Sequence, residues 1–456
     1  MHLNPSVFRS YDIRGIASKD LTPEFANALA RAFVHWLRTQ GEKPSTVVVG
    51  RDMRKSSASL EHALIAGFIR VGMQVKSIGL VASEQFYYAC ATADAPGIIV
   101  TASHNPPEYG GFKIVKRVPE FVGGVALQQI RGLMENHDYA PDTVGGAQEP
   151  WDIHQGYTQT VRGFVNRKRW ERKLKVIADT ANGMGGPMVE EVLRGLPVDL
   201  EILFAKPDGT FPNHPADPLI AENREFVEHA VRKENADLGF AFDGDADRIF
   251  VIDENGQTLP GDFVAALLGE YFARREPGAT VIYDVRSSWA VRDLVSTVGG
   301  KSLMHLVGHT NIKRKMAEMA AVFGGELSGH FYYRDFFRCD SSMITALLFI
   351  DLLSAGPLRL SEIVAPLRSA YFLSGELNFT VSSIPEVLDK LRQHFAGSSN
   401  MYELDGLSVE EKDWHFNLRP SNTEPLLRLN VEALSREMLE EKVGELTRLI
   451  VEESRK

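Results

Sequence analysis

Hydrophobic and polar positions alternate along this chain in two recurring styles. Short unbroken apolar runs, such as Val47-Val48-Val49, Ile98-Ile99-Val100 and Val176-Ile177-Ala178, read as strands buried on both faces. Between them lie stretches with helical spacing. Pro23 to Gln40 is the first, with Thr22 as its cap and proline at its first position. Ser56 or Ser57 is placed to cap a second helix running to Val71. Gln74 to Ile78 then returns to a strand pattern, and Gly97 to Val100 follows it. Strands alternating with helices predict an α/β architecture with a mainly parallel sheet.

The order then repeats. Lys175 to Asp179 opens a second stretch whose later strand is Ala236 to Phe242. Thr280 to Asp284 opens a third, in which Ala320 to Gly325 leads into a polar loop. Each opening strand is β-branched and ends in charge. Three divergent copies of one α/β unit fit this pattern, and so do three independent α/β domains. The C-terminal stretch reads differently. Strands at Glu376 to Val381, near Tyr402, at Trp414 to Leu418 and at Leu426 to Val431 accompany helices at Pro385 to Phe395 and Glu437 to Glu453. That is the signature of a smaller α+β domain. Boundaries fall near 145–150, 253–256 and 365–373, which divides the chain into 1–150, 151–254, 255–367 and 368–456.

Composition agrees with several cores. The chain has 456 residues, long enough for about three or four domains. A net charge of -10 counts against nucleic acid as a partner. Only Cys90 and Cys339 are present, far apart and without metal spacing, so a reducing, cytoplasmic setting is expected. Met1 to Pro5 lacks the basic and apolar regions of a signal peptide. The apolar stretch Met343 to Leu353 is too short for a bilayer and carries Asp351. No membrane partner is expected.

Candidate chemistry sits where strands end. Thr101-Ala102-Ser103-His104-Asn105-Pro106-Pro107 follows an apolar strand, the place where α/β sheets present ligands. The prolines stiffen the turn that holds the Ser103 hydroxyl. Asp243-Gly244-Asp245-Ala246-Asp247-Arg248 alternates three carboxylates that can converge on a hard cation, Mg²⁺ foremost. A calcium-binding helix–loop–helix hand also opens with alternating acids, and Glu254 falls at the closing position. Arg248, however, replaces its turn glycine, and both flanks read as strands. Arg419-Pro420-Ser421-Asn422-Thr423 offers a guanidinium fork and neutral donors suited to a phosphate monoester, with Arg428 joining if it shares that face. Glu326-Leu327-Ser328-Gly329-His330 and Gly308-His309-Thr310 carry groups that hydrogen-bond sugar hydroxyls. The chain has no Gly-x-Ser-x-Gly elbow and no Walker loop, and Gly183-Met184-Gly185-Gly186 is a weak dinucleotide fingerprint. Serine hydrolase, ATP-dependent kinase and dehydrogenase chemistry are disfavoured.

Taken together and in order, these four loops resemble the signatures of the α-D-phosphohexomutase family, most like its bacterial phosphomannomutase/phosphoglucomutase branch. The resemblance spans essentially the whole chain, including Tyr11-Asp12-Ile13-Arg14-Gly15. It implies three similar mixed α/β sheet domains and a smaller α+β C-terminal domain around a central cleft. It implies that hexose 1-phosphate and hexose 6-phosphate, of mannose or glucose, interconvert through a phosphoserine at Ser103 and a hexose 1,6-bisphosphate intermediate. By resemblance, Ser103 with Asp243, Asp245 and Asp247 holds Mg²⁺, and Glu326 and Ser328 grip sugar hydroxyls. Arg419, Ser421, Asn422 and Thr423 meet the distal phosphate, and Tyr11, His309 and Arg428 are further substrate contacts.

Lys113 is the first candidate for general acid/base, with a lowered pKa expected in a cationic phosphate-bearing site. His104, His309 and His330 are alternatives, and Arg14 and Arg248 can stabilise transferring charge. Two positions depart from the family pattern. Gly110 stands where asparagine is common, which is expected to loosen that loop, and Arg286 stands where some relatives carry lysine. Glucosamine-specific relatives typically carry glutamine and serine in the sugar loop and glycine at the position of Asn422. A phosphoglucosamine mutase, a non-catalytic phosphosugar-binding relative and a phosphatase are the competing readings.

Overall fold

A computed structural model describes residues 3–118, 120–420 and 426–453. They form two compact units, one of Met1–Leu259 with Ser328–Leu360 and one of Pro260–Leu327 with Ser361–Lys456.

The first unit holds two sheets. In one, the parallel strands Gly97–Val100, Thr46–Arg51, Gln74–Leu80 and Ala147–Pro150 lie side by side in that order. Tyr109–Arg117 and Ile13–Ile16 continue the sheet antiparallel beyond Gly97–Val100. The sheet is therefore mixed rather than mainly parallel. Short connections allow antiparallel neighbours, and only the helix-bearing connections give parallel ones.

Its helix Pro23–Thr39 starts as expected. Thr22 accepts from Phe25 N at 3.2 Å, and Phe25, Leu29, Phe33, Trp36 and Leu37 are buried on one face. Removing that cap would cost about 1 kcal/mol. The second helix, Ser57–Arg70, begins after Ser56, yet no serine side chain caps it. Ser57 Oγ donates instead to the buried Asp52 at 2.5 Å. A buried carboxylate outcompetes an exposed helix end for a hydroxyl donor.

The second sheet pairs Leu174–Asp179 in parallel with Val198–Leu203 and Leu238–Phe242, and Ile249–Asp253 closes it antiparallel. The register Phe242↔Ile249 makes residues 243–248 a hairpin turn, which excludes a helix–loop–helix hand. The unit also contains the antiparallel pair Phe331–Tyr333 and Cys339–Asp340, and the largely buried helix Ser342–Ser354.

In the second unit Thr280–Asp284 pairs in parallel with Lys301–His305 and Phe323–Gly325. The expected strand start at Ala320 is instead the left-handed cap of helix His309–Met319. Counted from Thr46–Arg51, Leu174–Asp179 and Thr280–Asp284, the parallel strands share one order: the third, then the first, then the second. That common order is what three copies of one α/β unit would leave behind.

The C-terminal sheet is antiparallel throughout. Its strands run Phe372–Phe379, Leu427–Ala433, Trp414–Pro420, Leu407–Glu410 and Asn400–Tyr402. Helices Ile384–His394 and Arg436–Glu453 complete it, and Val387, Leu391, Phe416, Leu429, Leu446 and Ile450 are in its core. The strand Leu407–Glu410 is missing from the sequence pattern because its short run borders charge on both sides. No helix among the described residues is long and apolar enough to cross a membrane.

Candidate active site

Strand Gly97–Val100 ends three residues before Ser103, and Ser103 is only 2 % exposed. Its backbone is left-handed, with φ of 47°, a conformation that a side-chain-bearing residue adopts rarely. Ser103 N donates to Thr101 Oγ1 at 3.1 Å, and Ser103 Oγ donates to Asp243 Oδ2 at 2.6 Å. The close approach needs a glycine opposite: a Cβ on Gly244 would lie 2.5 Å from Ser103 O. The sheet end and the hairpin turn, far apart in sequence, thus meet at one hydroxyl.

Asp243, Asp245 and Asp247 are buried, and each offers an oxygen within 4.8 Å of the others. Asp245 Oδ1 and Asp247 Oδ1 are buried without a hydrogen-bond partner. Two such orphaned anionic atoms in a converging triad are what a divalent cation would satisfy, so these residues fit a metal. Burial, then repulsion from Asp245 and Asp247, pushes the Asp243 carboxyl up to about 7. Asp245 is also penalised by burial, but the Lys113 ammonium holds it well below the usual carboxylate range.

Lys113 lies on strand Tyr109–Arg117, 5 % exposed. Its Nζ donates to Asp245 Oδ2 at 2.7 Å, Asp247 Oδ2 at 2.5 Å and Ser83 Oγ at 3.2 Å. The expectation of a lowered pKa is overturned. Burial does pull the ammonium down, but Asp245 and Asp247 outweigh it and raise the pKa. The lysine's immediate neighbours are carboxylates, not the arginines of the site.

Around this centre, Arg248 Nη2 donates to His104 Nδ1 at 2.7 Å. The bond requires a bare ring nitrogen, and burial together with Arg248 and Arg14 keeps His104 neutral. Arg14 bonds Asp12 at 2.8 Å and Asn105 Oδ1 at 3.0 Å. Tyr11 lies half-buried in the bend just before its strand. His330 Nδ1 is 2.8 Å from Asp340 Oδ2 and 3.8 Å from Asp247 Oδ1. Burial lowers its pKa, but Asp247 and Asp340 reverse the sign. Ser328, half-buried, belongs to the same unit. Gly110 is not in a loose loop: it sits in the ladder opposite Gly15, where an added Cβ would make only ordinary contacts.

The second unit gathers a different set. Arg286 follows strand Thr280–Asp284 and grips Asp284 with two nitrogens, at 3.1 and 2.9 Å. Its Nη1 reaches Glu376 Oε2 at 3.3 Å, and Nη2 lies 3.7 Å from Glu326. This planar fork does what a lysine ammonium cannot. Glu326 Oε2 also accepts from Gly308 N at 3.2 Å. His309 opens helix His309–Met319, half-buried, with Nδ1 3.5 Å from Lys313 Nζ.

Arg419 and Arg428 are directly opposite in register, so their side chains share one face, a costly placement for like charges. Glu376 Oε1 offsets part of it at 3.2 Å from Arg428, while burial and then Arg286 lower the Arg419 pKa. Ser421, Asn422 and Thr423 lie outside the described residues.

Residues absent from the motif reading are Ser83, Asp340, Asp284 and Glu376. Only Asp284, an acid at a strand end, carried a visible signal.

Sequence models of four domain families match along the chain. They are phosphoglucomutase/phosphomannomutase alpha/beta/alpha domain I at residues 5–140, domain II at 155–256, domain III at 260–371 and the C-terminal domain at 376–449. The chain is 37% identical to a phosphomannomutase of Vibrio cholerae over 97% of its own length and 98% of that protein's. It is 38% identical to a phosphomannomutase of Escherichia coli K12, covering 93% and 94% of the two chains. A crystal structure of a phosphoglucomutase/phosphomannomutase family protein from Burkholderia thailandensis superposes with a TM-score of 0.89. That chain is 32% identical, with 98% of this chain and 97% of that one covered. The chain belongs to the phosphoglucomutase/phosphomannomutase family. It is a phosphohexomutase, an enzyme that moves a phosphoryl group within one sugar molecule, and its family is metal-dependent; the acidic triad is a group that could hold such an ion.

Proposed function

We propose that this enzyme interconverts the 1- and 6-phosphates of mannose and glucose, with phosphorylated Ser103 as the phosphoryl donor and a hexose 1,6-bisphosphate as intermediate. The observation that carries the reading is Ser103 Oγ at 2.6 Å from Asp243, inside a converging carboxylate triad. Asp243, Asp245, Asp247 and the Ser103 oxygen would hold Mg²⁺, which supplies charge neutralisation for the phosphoryl group when bound.

In the first half-reaction the O–P bond at Ser103 breaks, and a new one forms to the free sugar hydroxyl. His330, whose ring Asp340 orients, takes the proton that this hydroxyl loses. Lys113 stays an ammonium between Asp245 and Asp247 and offsets their charge, while Arg14 and Arg248 face the transferring phosphoryl oxygens. In the second half-reaction the other phosphate of the bisphosphate returns to Ser103, and the proton goes back to the oxygen it leaves. Glu326, Ser328, His309, Tyr11 and Arg286 contact the sugar. Arg419 and Arg428, with Ser421, Asn422 and Thr423, take the phosphate that is not reacting. The like-charged pair opposite in register supports an anion there. A cytoplasmic setting is supported by the small cysteine content, Cys90 and Cys339, both buried.

The deciding experiment follows mannose 1-phosphate and glucose 1-phosphate by phosphorus NMR, with intact mass before and after incubation with glucose 1,6-bisphosphate. Isomer formation with gain of one phosphoryl group on Ser103 is expected. Phosphate release without isomer would replace this reading with a phosphatase.

A further inference from the structure

We infer that Arg54 is the positioning residue that moulds the Ser103 turn into its reactive shape. The inference rests on the reading of Ser103 as the phosphoryl carrier.

Arg54 is 2 % exposed and its guanidinium faces one target. Nη2 donates to Ser103 O at 2.8 Å and Asn105 O at 2.5 Å, and Nη1 donates to Pro106 O at 2.7 Å and Tyr109 O at 3.1 Å. All four N–H groups of the two terminal nitrogens are thus spent on carbonyls of the single turn that carries the nucleophile. The turn runs left-handed at Ser103, and buried carbonyls must find donors.

Asp52 completes the clamp. Its Oδ2 accepts from Ala102 N at 3.3 Å and lies 3.3 Å from Arg54 Nε, while Oδ1 accepts from Arg54 N at 3.0 Å. One carboxylate therefore orients the arginine and holds the turn from its amino side. The arrangement is closed from outside. The Phe211 ring lies 5.1 Å from the guanidinium, and a Cβ on Gly209 would come within 2.5 Å of Arg54 Cα. On the other side Gly244 presses on Ser103 O, so that carbonyl is seated between Arg54 and the metal-binding hairpin. Its seat sets where Oγ points.

Arg54 touches no reacting atom and acts only through the turn. A lysine keeps the charge but places its donors at one point and cannot span four carbonyls.

The test is Arg54→Lys in the full chain, with folding checked by circular dichroism. KM for mannose 1-phosphate is expected to stay within about twofold of the parent. The kcat is expected to fall about 100-fold, the loss that follows a misplacement of about 1 Å at a reacting atom. Transfer of phosphoryl from glucose 1,6-bisphosphate to Ser103, timed by intact mass, is expected to slow in step. Parental kcat, or a loss explained entirely by the unfolded fraction, overturns the inference. Should Arg54→Lys not fold, Asp52→Asn decides: it keeps the arginine and is expected to lower kcat about tenfold at unchanged KM, and parental kcat there overturns the clamp. A parent enzyme that takes up no phosphoryl group overturns the phosphoserine reading and the inference with it. A labelled parent beside fully active variants overturns the clamp alone.

Discussion

The two compact units each carry a buried ionic cluster, built on opposite principles. Around Ser103 carboxylates are in excess: Asp245 and Asp247 share Lys113, yet each keeps one oxygen without a hydrogen-bond partner. Around Arg286 every named acid already has an arginine. Asp284 is gripped twice, and Glu376 is divided between Arg286 and Arg428. The first cluster keeps two carboxylate oxygens that a cation would satisfy. The second is internally paired, and an anion entering it competes with Glu376 for the arginines. Buried ion pairs break unfavourably unless the newcomer is also charged, so the second cluster selects for charge while the first stores capacity for it. In the proposed mechanism the first cluster serves the chemistry and the second the grip.

That contrast predicts that damage to the first cluster appears in kcat and damage to the second in KM. Ser103→Ala is the largest expected effect. Turnover falls by several orders of magnitude while binding of mannose 6-phosphate by calorimetry survives. Near-parental turnover would remove Ser103 from the chemistry.

Next comes Asp245→Asn, which takes charge from the middle of the triad. Activity should drop roughly 100-fold and the Mg²⁺ concentration for half-activity should rise, because one anionic ligand is lost. Full activity of the parent after chelation would end the metal assignment.

Glu326→Ala probes the second cluster. Comparing kcat/KM for mannose 1-phosphate, glucose 1-phosphate and glucosamine 1-phosphate in parent and variant, the two hexoses should lose about tenfold alike, with glucosamine the poorest parental substrate. Hydroxyls common to both hexoses are what a loop carboxylate can read. A variant that loses only one hexose would contradict this.

The smallest effect concerns pH and sharpens the comparison, because in each unit a buried carboxyl outside the cluster is pushed up, Glu84 in the first and Asp262 in the second. Glu84 accepts from Tyr157 and Ser342 at 2.7 Å, from Met343 N at 3.1 Å and from Ser341, at the start of helix Ser342–Ser354. Burial still pushes it up to about 7. Asp262 is pushed up to about 7 by burial and then by Glu432. In both cases the folded chain retains a proton that the unfolded chain has released. The stability these two groups contribute is therefore greatest below the ordinary carboxylate range and is lost as pH rises through about 7. Melting temperatures of the Mg²⁺-loaded parent should fall between about pH 5 and 7, and its advantage over Glu84→Gln should shrink across that window. A gap that does not change with pH would refute the shift at Glu84.

Much of this protein was legible in its order of residues. Apolar runs ending in Asp179 and Asp284, the Thr22 cap, and the Ser103 and Asp243–Asp247 turns all express local rules: burial on two faces, helix-end chemistry, alternation of side chains. Such rules act over a few residues and survive in a string. The competition at Ser57 did not: its winner, Asp52, is only five residues earlier, but its complete burial is set by the packed fold and no local pattern records it.

Partnership and protonation were decided only by the folded chain. Lys113 meets Asp245 across 132 positions, Arg54 meets Ser103 across 49, and Arg286 meets Glu376 across 90. The facing of Arg419 and Arg428 is a matter of strand register. The pKa of a buried group depends on the nearest charges and on lost water, quantities set by distance in space. Hence Lys113, expected to be lowered by cationic neighbours, is raised by two carboxylates. The residue types and their loops follow from the sequence, and the charge each one carries follows from which distant neighbour the fold brings within about 3 Å.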